Sequence, residues 1–170
     1  MTGVGLELHP DKTRIVYCKD SNRRGGFPHI EFTFLGFTFR PRSAKNKYGV
    51  VFTAFLPAVS KAALKRMSAT VRAWNLQRRS GSETADLARM INPVVRGWLA
   101  HYGRFYRSAL YPLLGRINFK LTRWIGKKYR LGWKQAARRT ADGYKLRPRY
   151  FAHWTWVPPT GAVTRTTRAV

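Results

Sequence analysis

Apolar residues recur at spacings of three and four through most of the second two thirds of the chain, and close to every second position before that. Leu64, Met67, Val71 and Trp74 mark the inner face of one helix, predicted from Ser60, a good N-cap, to about Arg79. Ser80-Gly81-Ser82 ends it. Ser82 or Thr84 caps a short helix to Met90, with Leu87 and Met90 turned inward. Glu83 and Asp86 sit in its first turn, where the helix dipole favours negative charge. Asn92 and Pro93 then read as the cap and first position of a third helix, reaching Leu110. On that helix Val95, Trp98, Leu99, Tyr102, Phe105, Tyr106 and Ala109 fall on one face, and Arg96, Arg104 and Arg107 on the opposite one. Gly97 and Gly103 are costly inside a helix, and a glycine there often lets a backbone or ligand come close. Leu113, Leu114, Ile117, Leu121, Trp124 and Ile125 stripe a fourth helix, from Pro112 to about Tyr129. Trp133 to Arg139 is a short basic helix or turn, followed by a turn at Asp142-Gly143.

The first third follows strand logic. His9-Pro10-Asp11 is a turn. Thr13 to Tyr17 alternates as a short strand, and residues 20–29 form a loop. Glu31 to Arg42 reads as one strand, with Phe32, Phe34, Leu35 and Phe37 half-buried or core and Gly36 a bulge or close-approach point. Lys45 to Gly49 turns the chain, and Val50 to Phe55 returns as the second strand of a hairpin. The fold class is α+β: a small antiparallel β element followed by a mainly α-helical bundle, with a junction at Pro57-Ala58-Val59-Ser60.

Charge changes the picture. The 170 residues carry 33 Lys and Arg against 7 Asp and Glu, a net of +26. On a chain with an ordinary apolar fraction of 44%, that excess points to a polyanionic partner, nucleic acid ahead of an anionic membrane surface. Residues 1–50 hold a net of +5, so +21 lies in the remainder. Arg116, Lys120, Arg123 and Lys127 recur at i, i+4, i+7 and i+11, which is one straight basic stripe. Four cations on one helix face without acidic partners repel one another, so a helix that keeps them has phosphate to meet. Lys61, Lys65, Arg72 and Arg79 form a second basic face on the first helix. No apolar run approaches the ~20 residues of a membrane span, and the N-terminus lacks the pattern of a signal peptide. Cys18 is the single cysteine, which excludes an internal disulfide and, with four scattered histidines, a zinc site. These features imply no metal, no cofactor, no membrane partner and a reducing, cytoplasmic setting.

Asn92-Pro93, Arg96-Gly97-Trp98, Tyr102 and Phe105-Tyr106 resemble the signature of the maturase-specific domain of group II intron-encoded proteins, also called the thumb or domain X. Tyr150 to Trp154 resembles that family's terminal Phe-Ala-His-Trp element, in which His153 either packs internally or meets RNA. Gly3 to Thr13 and Phe32 to Phe37 resemble the end of a reverse transcriptase palm and its primer grip. The resemblance implies a palm remnant over residues 1–56, the helical maturase domain over 57–155 and a loosely ordered tail over 156–170. It assigns phosphate or active-site bracing to Lys12 and the grip itself to Leu35-Gly36. It implies that Arg96, Arg104, Arg107, Arg116, Lys120, Arg123 and Lys127, with Lys61, Lys65, Arg72 and Lys128, meet group II intron RNA or a template–primer duplex.

The departure from the family is as informative. Reverse transcriptases carry a Tyr-Ala-Asp-Asp type block whose carboxylates hold two divalent ions. No two acidic residues are adjacent in this sequence. The expectation is a chain that does not polymerise on its own, with no nuclease motif. It would serve as an RNA-binding maturase module, or as the C-terminal part of a polymerase completed by another chain, or it is a generic basic nucleic-acid binder or a decayed remnant with no specific role.

Overall fold

The computed structural model describes residues 13–23 and 25–159. Lys12, the turn at His9-Pro10-Asp11 and the tail from Thr160 lie outside them. The chain divides into two compact units, residues 1–60 and 61–170.

The first unit is a three-stranded antiparallel meander, β1 (Phe32–Phe34), β2 (Phe37–Lys45) and β3 (Val51–Val59), in the order β1-β2-β3. The predicted single strand from Glu31 is broken at Leu35-Gly36. Both residues take positive φ, 47° and 84°, and Phe34 pairs directly with Phe37 across them. This is the two-residue hairpin geometry that matches strand twist, so Gly36 makes a turn and not a bulge. Leucine is a poor occupant of the left-handed region, and Leu35 is exposed at the tip. Phe32 stacks on Phe39, ring centroids 4.7 Å apart, with Phe55 next in the row. These rings do not make a closed core: Phe32 and Phe34 are exposed, and only Phe37 of the four predicted apolar positions is buried. The second hairpin turns through residues 46–50, as predicted, where the Asn46 side chain accepts from the N–H groups of Tyr48 and Val50. β3 runs on through the predicted junction to Val59. Thr13 to Tyr17 is not a strand, although the Tyr17 N–H donates to the His29 carbonyl at 2.8 Å.

The second unit holds four α-helices among the described residues: α1 (Lys61–Ala73), α2 (Thr84–Tyr102), α3 (Tyr111–Lys128) and α4 (Trp133–Leu146). α1 stops six residues before the predicted Arg79, where Asn75 adopts a left-handed φ of 46°. The two helices predicted at 84–90 and 93–110 are one helix that ends at Tyr102. Its N-terminus is set at Glu83, whose N–H donates to the Asp86 carboxylate at 3.0 Å. Pro93 lies inside α2, and Asn92 is no cap; its side chain is used elsewhere, as described below. α3 matches its prediction closely. Just beyond it Arg130 takes a φ of 52° and the Leu131 N–H reaches back to the Gly126 carbonyl at 2.8 Å. This is the usual way of satisfying the last carbonyls and stopping a helix. α4 runs seven residues past the predicted Arg139, through Asp142-Gly143. Its buried face is Ala136, Thr140 and Ala141, side chains too small to register as an apolar stripe.

The core of this unit is the aliphatic stripe of α3, closed by Val71 and Leu76, by Leu87, Ile91 and Val95 of α2, and by Trp124, all essentially inaccessible. Trp98, expected in the core, is only half-buried and stacks on Trp74 with centroids 6.0 Å apart. Gly103, which caps the end of α2, has no room for a Cβ, which would strike the Trp156 ring and the Leu99 carbonyl, whereas a Cβ on Gly97 would meet nothing within 4 Å. Gly97→Ala is therefore expected to stabilise the protein by up to about 1 kcal/mol. Gly103→Ala should cost about 1–3 kcal/mol through overpacking. Denaturation midpoints of the two variants check this, and equal effects would mean that Trp156 does not cover Gly103.

Candidate nucleic-acid interface

Two buried asparagines fix the segment that follows α4. Asn92 on α2 donates to the Tyr150 carbonyl at 2.9 Å and accepts from the Ala152 N–H at 2.8 Å. Asn118 on α3 donates to the Val157 carbonyl at 2.9 Å. Its Oδ1 accepts from Trp154 Nε1 at 2.9 Å and faces His153 Nε2 at 2.8 Å. With the Asn118 amino group engaged at Val157, His153 must donate, so its proton sits on Nε2 and Nδ1 carries the lone pair. That Nδ1 has no partner among the described residues. In this fold His153 takes the packed role: the ring is fully buried, and Trp154 is buried beside it. Trp156 and Val157, assigned by sequence to the tail, are part of this packing.

The clasp frames the basic surface. On α1, Lys61, Lys65 and Arg72 are exposed at i, i+4 and i+11, and Ser68 occupies the i+7 place in that row. The Arg116 guanidinium donates to the Ser68 hydroxyl at 3.0 Å. Because Arg116 heads the α3 stripe, this bond sets the two basic rows edge to edge. Lys61, Lys65 and Arg72 on α1 and Arg116, Lys120, Arg123 and Lys127 on α3 are thus two basic rows that meet at the Ser68–Arg116 bond; all seven are exposed except the half-buried Lys120.

Among the described residues, no acidic side chain pairs with either row. Glu83 pairs with Lys128 at 2.7 Å, Asp86 with Arg89 at 2.6 Å and Asp142 with Lys145 at 3.3 Å. None of the seven cations is in an ion pair among the described residues. Lys128 differs from its neighbours. Its side chain is 13% exposed, and its ammonium also donates to the Ser82 carbonyl at 2.7 Å, so it ties α3 to the start of α2 and is not presented to solvent.

Arg96, Arg104 and Arg107 do not share a helix face, because α2 ends between them. Arg96 is exposed on α2 beside a shallow groove lined by Pro93 and Tyr150. Arg104 is exposed in the following turn. Arg107 starts the 3-10 turn Arg107–Leu110, with its guanidinium 5.0 Å from the Trp156 ring centroid. Tyr102 and Tyr106 are half-buried and Phe105 is exposed. Leu35 and Gly36 stand at a hairpin tip in the other unit. A cleft of about 450 Å³ opens between α3, α4 and the 150–154 segment, floored by Trp124, Phe151 and Trp154. There the Arg139 guanidinium stacks 3.8 Å from the Tyr129 centroid, a pair that periodicity alone did not single out. Among the described residues no three His, Cys, Asp or Glu side chains gather as a metal site, and no helix is long and apolar enough to cross a membrane.

Residues 64–141 match the model of the group II intron, maturase-specific domain family. No curated protein and no solved structure matches the chain. Over these residues the chain is similar to the maturase-specific domain of group II intron proteins, as the sequence resemblance implied. That domain implies group II intron RNA as partner. The match runs from within α1 to within α4 and contains six of the seven cations of the basic face, all but Lys61, whereas the clasped segment at 150–157 lies beyond it.

Burial sets a pH limit on this fold. Desolvation lowers the His153 pKa from 6.5 to about 3. As pH falls below about 6.5 the unfolded chain takes a proton that the folded chain refuses until about pH 3, so stability is lost across that window. The slope is at most ~1.4 kcal/mol per pH unit. His153→Gln keeps a donor for Asn118 and should flatten the stability profile between pH 6.5 and pH 5, above the carboxylate range. An unchanged slope there would mean that the ring protonates in the folded state.

Proposed function

We propose that this protein grips group II intron RNA through the α1–α3 basic face and assists the folding and splicing of that RNA without polymerising nucleotides itself. The observation that carries the reading is a row of seven cations with every acid of the helical unit engaged elsewhere. Such a face neutralises phosphates and releases counterions, which gives affinity with a steep salt dependence. Binding that favours the active RNA fold stabilises that fold by mass action, and the ribozyme does the cutting and joining. The match to a maturase domain supports intron RNA as the polyanion.

A second reading, in which the chain completes a polymerase supplied by another chain, draws on the exposed Leu35-Gly36 tip and its likeness to a primer grip. Mixing the protein with an upstream polymerase fragment and assaying cDNA synthesis separates the two readings; synthesis that depends on both chains favours the second.

The first reading is tested by binding to a group II intron RNA and to an unrelated structured RNA of equal length. A large preference for the intron is expected, and equal affinities would reduce the protein to a generic electrostatic binder. Replacing Lys120, Arg123 and Lys127 with Gln should leave the fold intact and lower the slope of log K against log salt by about 2–3, at roughly 0.7–0.9 per phosphate contact. An unchanged slope would remove α3 from the interface.

A further inference from the structure

Phe119 lies on the wrong side of α3 for packing. At ~100° per residue it falls about opposite the centre of the Leu113–Ile125 stripe, and it is 49% exposed. Trp133, the first residue of α4, is 52% exposed. The turn after α3 brings the two rings together, centroids 5.2 Å apart and tilted by 45°. The α3–α4 contact is already filled without them, by Thr122 against Thr140 and by Ala136. Single exposed aromatics are common and need no explanation, but this pair is neither single nor isolated. Arg123 of the basic row places its guanidinium 5.8 Å from the Phe119 centroid, and Lys120 is the next residue along α3.

Paired aromatic faces beside a row of cations are what an unpaired nucleotide requires: a surface for its base and a counter-charge for its phosphate. A paired helix keeps its bases inside and has only phosphates and sugar edges to offer. We propose that Phe119 and Trp133 form a stacking platform for unpaired bases of RNA, next to the phosphate-binding row and fed by it. This rests on the reading of the α1–α3 face as an RNA grip and adds the feature it selects: a loop or bulge adjoining a stem.

The test uses the full chain and two RNA probes, a hairpin bearing a bulge of unpaired adenosines and the same stem fully paired. Phe119→Ala with Trp133→Ala should weaken binding to the bulged RNA by roughly ten-fold, the usual scale for losing base–aromatic stacking. It should leave affinity for the paired stem and the salt slope unchanged. Phe119→Tyr with Trp133→Phe, which keeps both rings, should bind the bulged RNA as the parent does. Equal losses on the two RNAs would overturn the proposal. So would no loss on either, which would hand the patch to a protein partner. Salt-insensitive binding of both RNAs by the unaltered protein would instead sink the RNA-grip reading on which the platform rests.

Discussion

Two side-chain amides hold the helical unit closed. Asn92 and Asn118 come from different helices, and between them they engage backbone or ring groups of Tyr150, Ala152, His153, Trp154 and Val157. A buried amide left without partners costs about 1–3 kcal/mol for each orphaned group, so the arrangement is stable only when complete. Once the segment is seated, Trp156 covers Gly103 and Arg107 lies over Trp156. The amides supply register where the aliphatic core supplies only attraction, and the α1–α3 surface keeps its shape because the far side of α3 is held in this way.

The distribution of charge follows the same division. The three acids of the helical unit work locally: Asp86 receives the N–H that starts α2, and Glu83 draws Lys128 down against Ser82. The cations are left to the outside. Lys127 and Lys128 are adjacent in sequence and have opposite uses, one in the exposed row and one as an internal tie.

Large aliphatic residues at helical spacing made α1 and α3 legible, and the i, i+4, i+7, i+11 row of α3 was visible for the same reason. The features that were not legible depend on partners distant in sequence. Asn92-Pro93 has the local chemistry of a helix start, but the amide is claimed by residues 58 and 60 positions away. The need for glycine at 103 comes from Trp156, which no local pattern announces. α4 packs on alanine and threonine, so its length left little apolar trace. Leu35 in a left-handed turn runs against propensity and is readable only from the pairing of its neighbours. The joining of the two basic rows hangs on one serine, Ser68, whose position in the α1 row becomes meaningful when Arg116 is seen to reach it. The family signature in Asn92, Pro93, Gly97 and Trp98 was recognisable without any of this, because those residues are unusual in a helix whatever their use.

The unrelieved basic face places the two equilibria of this protein in opposition. Mutual repulsion among cations works against the compact state, and dissolved salt screens it. The same ions compete for the phosphates of the partner. On the proposed reading, added salt therefore firms the unbound fold while loosening the complex, and bound RNA would take over the neutralising role that the sequence has withheld from its own carboxylates.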